Sequence, residues 1–164
     1  MRGMPPARIP VTTEIAPGWT YEGVAKWVCG KDVEVVAYGN PHDMNAAFGV
    51  KDAKPTIRIY RAVLQLPKDI QFIVLLHESW HCHQWADDID RSGWTHVEVE
   101  QDADVHAADI ACMLGLDGLR LDEESYPAMG IPIGAPDKDH GSPRERIANV
   151  RARAMNCRHD LQAS

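Results

Sequence analysis

Two histidines four residues apart, with a glutamate between them, give this chain its clearest chemistry. His77-Glu78-Ser79-Trp80-His81 reads His-Glu-x-x-His. On a helix, positions i and i+4 stack on one face, so both imidazoles reach one metal ion. Glu78 is badly placed to be a third ligand from the same turn. It is well placed to take a proton from a water held at the metal.

The residues before the motif supply the helix. Lys68 to Leu76 is an apolar run without Gly or Pro, and Pro67 stands at its start, where proline is tolerated. A helix is predicted over about 67–85, apolar enough to be buried. Cys82 and His83 point roughly 100° and 200° away from His81, so neither suits the same ion. Lys+Arg 17 against Asp+Glu 24 gives a net charge of −7, which argues against a general nucleic-acid binder.

A catalytic zinc needs a third protein ligand and an open position. Three residues compete for that place. Glu100 and Asp104, in Glu100-Gln101-Asp102-Ala103-Asp104, share a face, and Ala103, Ala107 and Ala111 flank it. Small residues there let a second helix approach the first closely. Asp87 lies six residues after His81, a metzincin-like spacing, with Tyr126 to Gly130 as a methionine-turn candidate. That pattern wants glycine where Gln84 stands. His106 sits about 240° round the helix from Glu100 and reads as a surface or loop-contacting histidine. Glu98, Asp102 and Asp109 read as solvated charges.

The remaining elements are those that must position this site. Residues 1–18 read as an irregular, proline-rich arm, followed by a short helix within 18–28. Val33 to Tyr38 is a strand by β-branched content, and 39–43 a turn. Asn45 to Val50 reads as an exposed edge strand. Thr56 to Arg61 alternates, with Ile57 and Ile59 on the buried face. Thr95-His96-Val97-Glu98 is a capping box opening a helix to about Leu114, with Gly115 as its stop. Residues 117–138 read as loop, with one helical turn near Asp122. Ser142-Pro143-Arg144-Glu145 opens a last helix to about Asn156. At 164 residues the chain is expected to be one domain, with α+β elements. No apolar run reaches the roughly 18 residues of a membrane span, and Met1 to Pro10 has no apolar signal core. A soluble, cytoplasmic protein is the expectation. Cys29, Cys82, Cys112 and Cys157 form no Cys-x-x-Cys pair and read as buried small hydrophobes.

His77-Glu78-x-x-His81 followed by Glu100-x-x-Ala103-Asp104 resembles the gluzincin metallopeptidases, in the branch of CAAX prenyl endopeptidase, its heat-shock membrane-protease relatives and the soluble minigluzincins. The resemblance runs over roughly 40–150. Asn45 to Gly49 is similar to that branch's edge strand, and Thr56 to Leu66 to its next strand and turn. His140-Gly141-Ser142-Pro143 before Arg146-Ile147 is similar to its His-Pro segment. It implies a zincin-like fold: a small mixed or antiparallel sheet on the active-site helix, a second ligand-bearing helix and a C-terminal helix. It implies one Zn2+ held by His77, His81 and Glu100, with Glu78 as base and Asp104 orienting a ligand histidine. Gluzincins also bring an oxyanion donor from beyond the second helix, which points to His140, since His159 lies near the C-terminus. The substrate implied is a peptide or protein. Trp80 stands where the branch has glycine, which is expected to narrow the cleft. Soluble repressor-cleaving zinc peptidases share the two-helix pattern. Two other classes compete: a regulatory zinc-binding domain without turnover, acting through protein–protein contacts, and an interaction module with no metal.

Overall fold

Strand and helix boundaries follow the residue pattern closely, except at the chain's start and in the stretch after Gly115. The computed structural model describes residues 9–39, 41–42, 44–134 and 140–155. The start of the expected arm, Asn40 and Asp43 of the turn, 135–139 of the loop, and Asn156, Cys157 and His159 lie outside it.

The sheet has four strands in the order β1-β4-β6-β5: β1 (Ile9–Pro10), β4 (Glu34–Tyr38), β6 (Lys54–Tyr60) and β5 (Ala46–Lys51). It is mixed. β4 and β6 run parallel, while β5 and β6 form an antiparallel hairpin closed at Asp52 and Ala53, both with positive φ. β5 is an edge strand, as expected from its composition, and one of its edges has no strand partner among the described residues. Val35, Ile57 and Ile59 are buried on the helix-facing side. The segment expected to be irregular carries β1 and a small second sheet, β2 (Glu14–Ala16) against β3 (Trp19–Thr20). Ile15 is buried there, so this part of the arm contributes to the core. Of its prolines, Pro10 ends β1 and Pro17 follows β2, where a missing donor costs little.

Helix α2 (Lys68–Ala86) is the centre of the molecule. Ile70 to Leu76 are buried all round the helix, because α2 packs against α1 (Tyr21–Cys29), the sheet, α3 (His96–Met113) and α4 (Gly118–Ala128) at once. Tyr21 Oη bonds to Gln71 Oε1, and the Gln71 amide donates to Leu64 O and Leu66 O, at 3.1 and 2.7 Å, in the turn before α2. The Thr95 capping box that opens α3 is present, and Gly115, at φ 85°, stops it. Ala103, Ala107 and Ala111 are buried between α3 and its neighbours. Helix α5 (Pro143–Arg153) begins at its Ser142 cap and closes the far side of α3 and α4.

The first half of the segment expected as loop is a full helix, longer than the one turn expected near Asp122. Asp117 caps α4, and Pro127 falls in the last turn, so the helix it interrupts ends one residue later. Gly118 is required for another reason. A Cβ there would come within 2.1 Å of Ala108 O, so glycine lets α4 lie directly on α3.

The cysteine expectation needs correcting. Cys29 and Cys82 form a disulfide that ties the end of α1 to the motif helix, and Cys112 is disulfide-bonded too. The cysteines lack a spacing signature because the bridge spans 53 residues of sequence. On the chain-entropy account, closing a loop of that size disfavours the unfolded chain by ~4 kcal/mol. No helix among the described residues is long and apolar enough to cross a membrane.

Candidate metal centre

Four acceptor atoms converge between α2 and α3. His77 Nε2 and His81 Nε2 are 3.1 Å apart. Glu100, from the first turns of α3, places Oε2 2.9 Å from His77 Nε2 and Oε1 3.2 Å from His81 Nε2. Among the described residues this is the one group of three His, Cys, Asp or Glu residues able to hold a metal ion.

The partners on the far side of each ring fix the tautomers. His77 Nδ1 lies 3.0 Å from Asp104 Oδ1, a buried carboxylate that can only accept. Gln84 Nε2 donates to Val99 O and Asp102 Oδ2, at 3.0 and 2.9 Å. Its Oε1 therefore faces His81 Nδ1, at 2.8 Å. Both rings must donate from Nδ1, which leaves both Nε2 lone pairs directed at each other and at a carboxylate. Such a nest needs a positive charge, from a proton or from a metal cation. Burial alone would lower the His77 pKa, but hydrogen bonds to Asp104 and Glu100 outweigh it and hold it well above normal. Burial would raise Glu100, and the two imidazoles instead hold it far below the usual carboxylate range.

Glu78 lies beside this cluster, its Oε1 3.9 Å from His77 Nε2. Burial pushes its pKa up, and the nearby histidines and a backbone hydrogen bond from Phe48 of β5 only partly oppose that. Asp104 is gripped by Arg146 of α5 through two bonds, Nε to Oδ2 at 2.8 Å and Nη2 to Oδ1 at 2.7 Å. Burial would raise Asp104, and Arg146 and His77 hold it low. The Arg146 guanidinium also lies over the Tyr126 ring at 5.4 Å. A cleft of about 640 Å³ opens over these groups, with Ala46 to Phe48 of β5 on one wall and Tyr126 on another.

The other candidates are placed elsewhere. Asp87 caps the end of α2 and is held by both Nη atoms of Arg91, at 2.7 and 2.6 Å, so it is not a ligand. The methionine-turn candidate is the end of α4. His106 stacks on the Trp80 ring at 3.9 Å, with Nδ1 3.2 Å from Asp102 Oδ1. Cys82 is committed to its disulfide. His140 reaches the cleft rim, Nε2 3.9 Å from Glu100 Oε1, with its side chain 49% exposed.

Trp80 was expected to narrow the cleft, and instead it lies between α2 and α3 behind it. Its ring stacks with both His83 and His106, and Nε1 donates to Asp102 Oδ2 at 2.8 Å. Asp102 is correspondingly no solvated charge. Burial would raise it, yet His106, Gln84 and Trp80 hold it below the usual range. Gln84 and Arg146 position these groups, and neither follows from the motif residues themselves. Gln84 stands three residues after His81, a spacing at which helix side chains meet, and that signal was available.

No known family, curated protein or solved structure matches the chain.

Proposed function

We propose that this chain is a zinc-dependent hydrolase, and more narrowly a metallopeptidase of the gluzincin kind with a zincin-like fold. The observation that carries this is the convergence of two Nε2 lone pairs and a carboxylate, with a buried glutamate of raised pKa alongside. Two imidazoles and one carboxylate suit zinc better than the oxygen-seeking cations. Tetrahedral ligands at ~2.0–2.1 Å from zinc lie ~3.3 Å from one another, close to the spacing of these three groups.

Zinc, when bound, supplies Lewis acidity, which makes water acidic enough to attack near neutral pH and polarises a carbonyl. His77, His81 and Glu100 would hold it. Asp104 and Gln84 keep both imidazoles in the tautomer that presents Nε2, and Arg146 keeps Asp104 ionised. Glu78 accepts the proton of the attacking water on its carboxylate, then delivers it to the leaving amine. Its raised pKa suits both halves of that task. β5 offers a free strand edge at the cleft wall, and an extended peptide main chain pairs with it beside Phe48. A peptide so paired would bring its scissile carbonyl next to Glu78. The Cys29–Cys82 bridge favours an oxidising compartment over the expected cytoplasm.

The expected result is hydrolysis of unstructured peptides by the zinc-loaded chain, abolished by a chelator and restored by added zinc. Hydrolysis that survives metal removal, or none from the fully loaded chain, would overturn the reading.

A further inference from the structure

Among the described residues, one acid in the cleft is held by no ion pair, with Arg146 and His77 acting on it only as nearby charges. Asp122, on α4, is 6% exposed and lines the cleft, and its Oδ2 has no hydrogen-bond partner among the described residues. The neighbouring acids are all engaged. Glu100 faces two imidazoles, Asp104 has Arg146 and His77, and Glu78 has the Phe48 backbone. Arg146, the nearest fixed cation, is committed to Asp104 through both bonds. Ser125 offers no relief, because its hydroxyl donates to the Asp122 carbonyl and not to the carboxyl.

Leaving a buried carboxyl unpaired is costly, and a helix that needed only packing would carry an apolar residue there. Gly118, one turn earlier, seats α4 directly on Ala108 of α3, so the helix that carries Asp122 is fixed against α3. Ala107 opposite is small and leaves room, while Tyr126, one turn on, offers an aromatic wall.

Resting on the peptidase reading above, we propose that Asp122 is a specificity residue: it pairs with a lysine or arginine side chain of the substrate, near the scissile bond. The methylene stem of that side chain packs along Tyr126 and Met129, and its charged end meets the carboxyl. Burial, with the Asp104 charge second, pushes the free Asp122 pKa up to about 8, and an entering cation would favour its ionised form. The apolar wall with a charge at its end is the combination that accepts a long basic side chain and penalises a neutral one.

The test separates this from the peptidase reading by measuring binding. Two acetylated heptapeptide amides, identical except for arginine or its neutral isostere citrulline at the central position, are titrated into zinc-loaded Glu78→Gln protein. The same pair is titrated into Glu78→Gln/Asp122→Asn and into Glu78→Gln/Asp122→Leu, which fills the space without polarity. Melting curves confirm that each variant folds. The arginine peptide should bind ~10–100-fold more tightly than the citrulline peptide, the scale of a charge-assisted bond, and the ratio should fall to about one in both Asp122 variants. Equal binding of the two peptides, no binding of the arginine peptide, or a preference that survives either substitution would overturn the inference. Hydrolysis without an arginine preference sinks the inference alone. An Asp122-dependent preference in a wild-type chain that cleaves nothing sinks the peptidase reading alone.

Discussion

Glu78→Gln should keep its fold and its metal and lose peptide hydrolysis by ~10²–10⁴-fold, the usual scale for removing a general base. The substitution changes one oxygen to an amide nitrogen and preserves the side chain's volume in a buried position. The Phe48 backbone hydrogen bond can still be accepted by the remaining oxygen. None of the three proposed ligands is residue 78, so metal content should equal that of the wild type. What disappears is the capacity to take and return a proton. Turnover on a fluorogenic peptide at matched zinc occupancy checks this. Undiminished turnover would show that another group is the base.

His140→Ala should also keep the metal, and lose ~10²–10³ in kcat with little change in KM. The attacked carbonyl becomes an oxyanion, and a preorganised donor near the metal stabilises it only in the transition state. His140 is suited by position. It lies at the cleft rim close to Glu100, and the Gly141 turn and the Ser142 cap of α5 hold the chain there. The kcat of the zinc-loaded variant is the measurement. A value within about 2-fold of wild type would remove His140 from the catalytic account.

Most of the elements bearing the proposed site were legible because local patterns specify them. The apolar run from Lys68 to Leu76 and the Thr95 capping box are properties of neighbouring residues, and they define α2 and α3 directly. The proposed third ligand was not legible on those terms. Periodicity puts Glu100 and Asp104 on one face of α3, but it does not say which loop acid or helix face meets α2. That depends on packing, and the structure shows Asp87 already paired with Arg91, four residues on. The same limit hid the Trp80–Asp102–Gln84 clasp, since which face of α3 meets Trp80 is set by how the helices rotate against each other. Asp122 was obscured by composition. Gly118, Pro127 and Gly130 read as loop, yet each sits at an end of α4 and leaves the middle helical. The disulfide had no local signal at all, because Cys29 and Cys82 meet only when α1 packs on α2.

The central claim is that His77, His81 and Glu100 hold one zinc ion. Elemental analysis of the purified chain, with anomalous diffraction from its crystals, tests it most directly. The account predicts one zinc per chain within ~2.0–2.2 Å of His77 Nε2, His81 Nε2 and a Glu100 oxygen. It also predicts that zinc is largely lost in Glu100→Ala and retained in Asp87→Ala. A chain that takes up no zinc, or a Glu100→Ala variant at full occupancy, would contradict it.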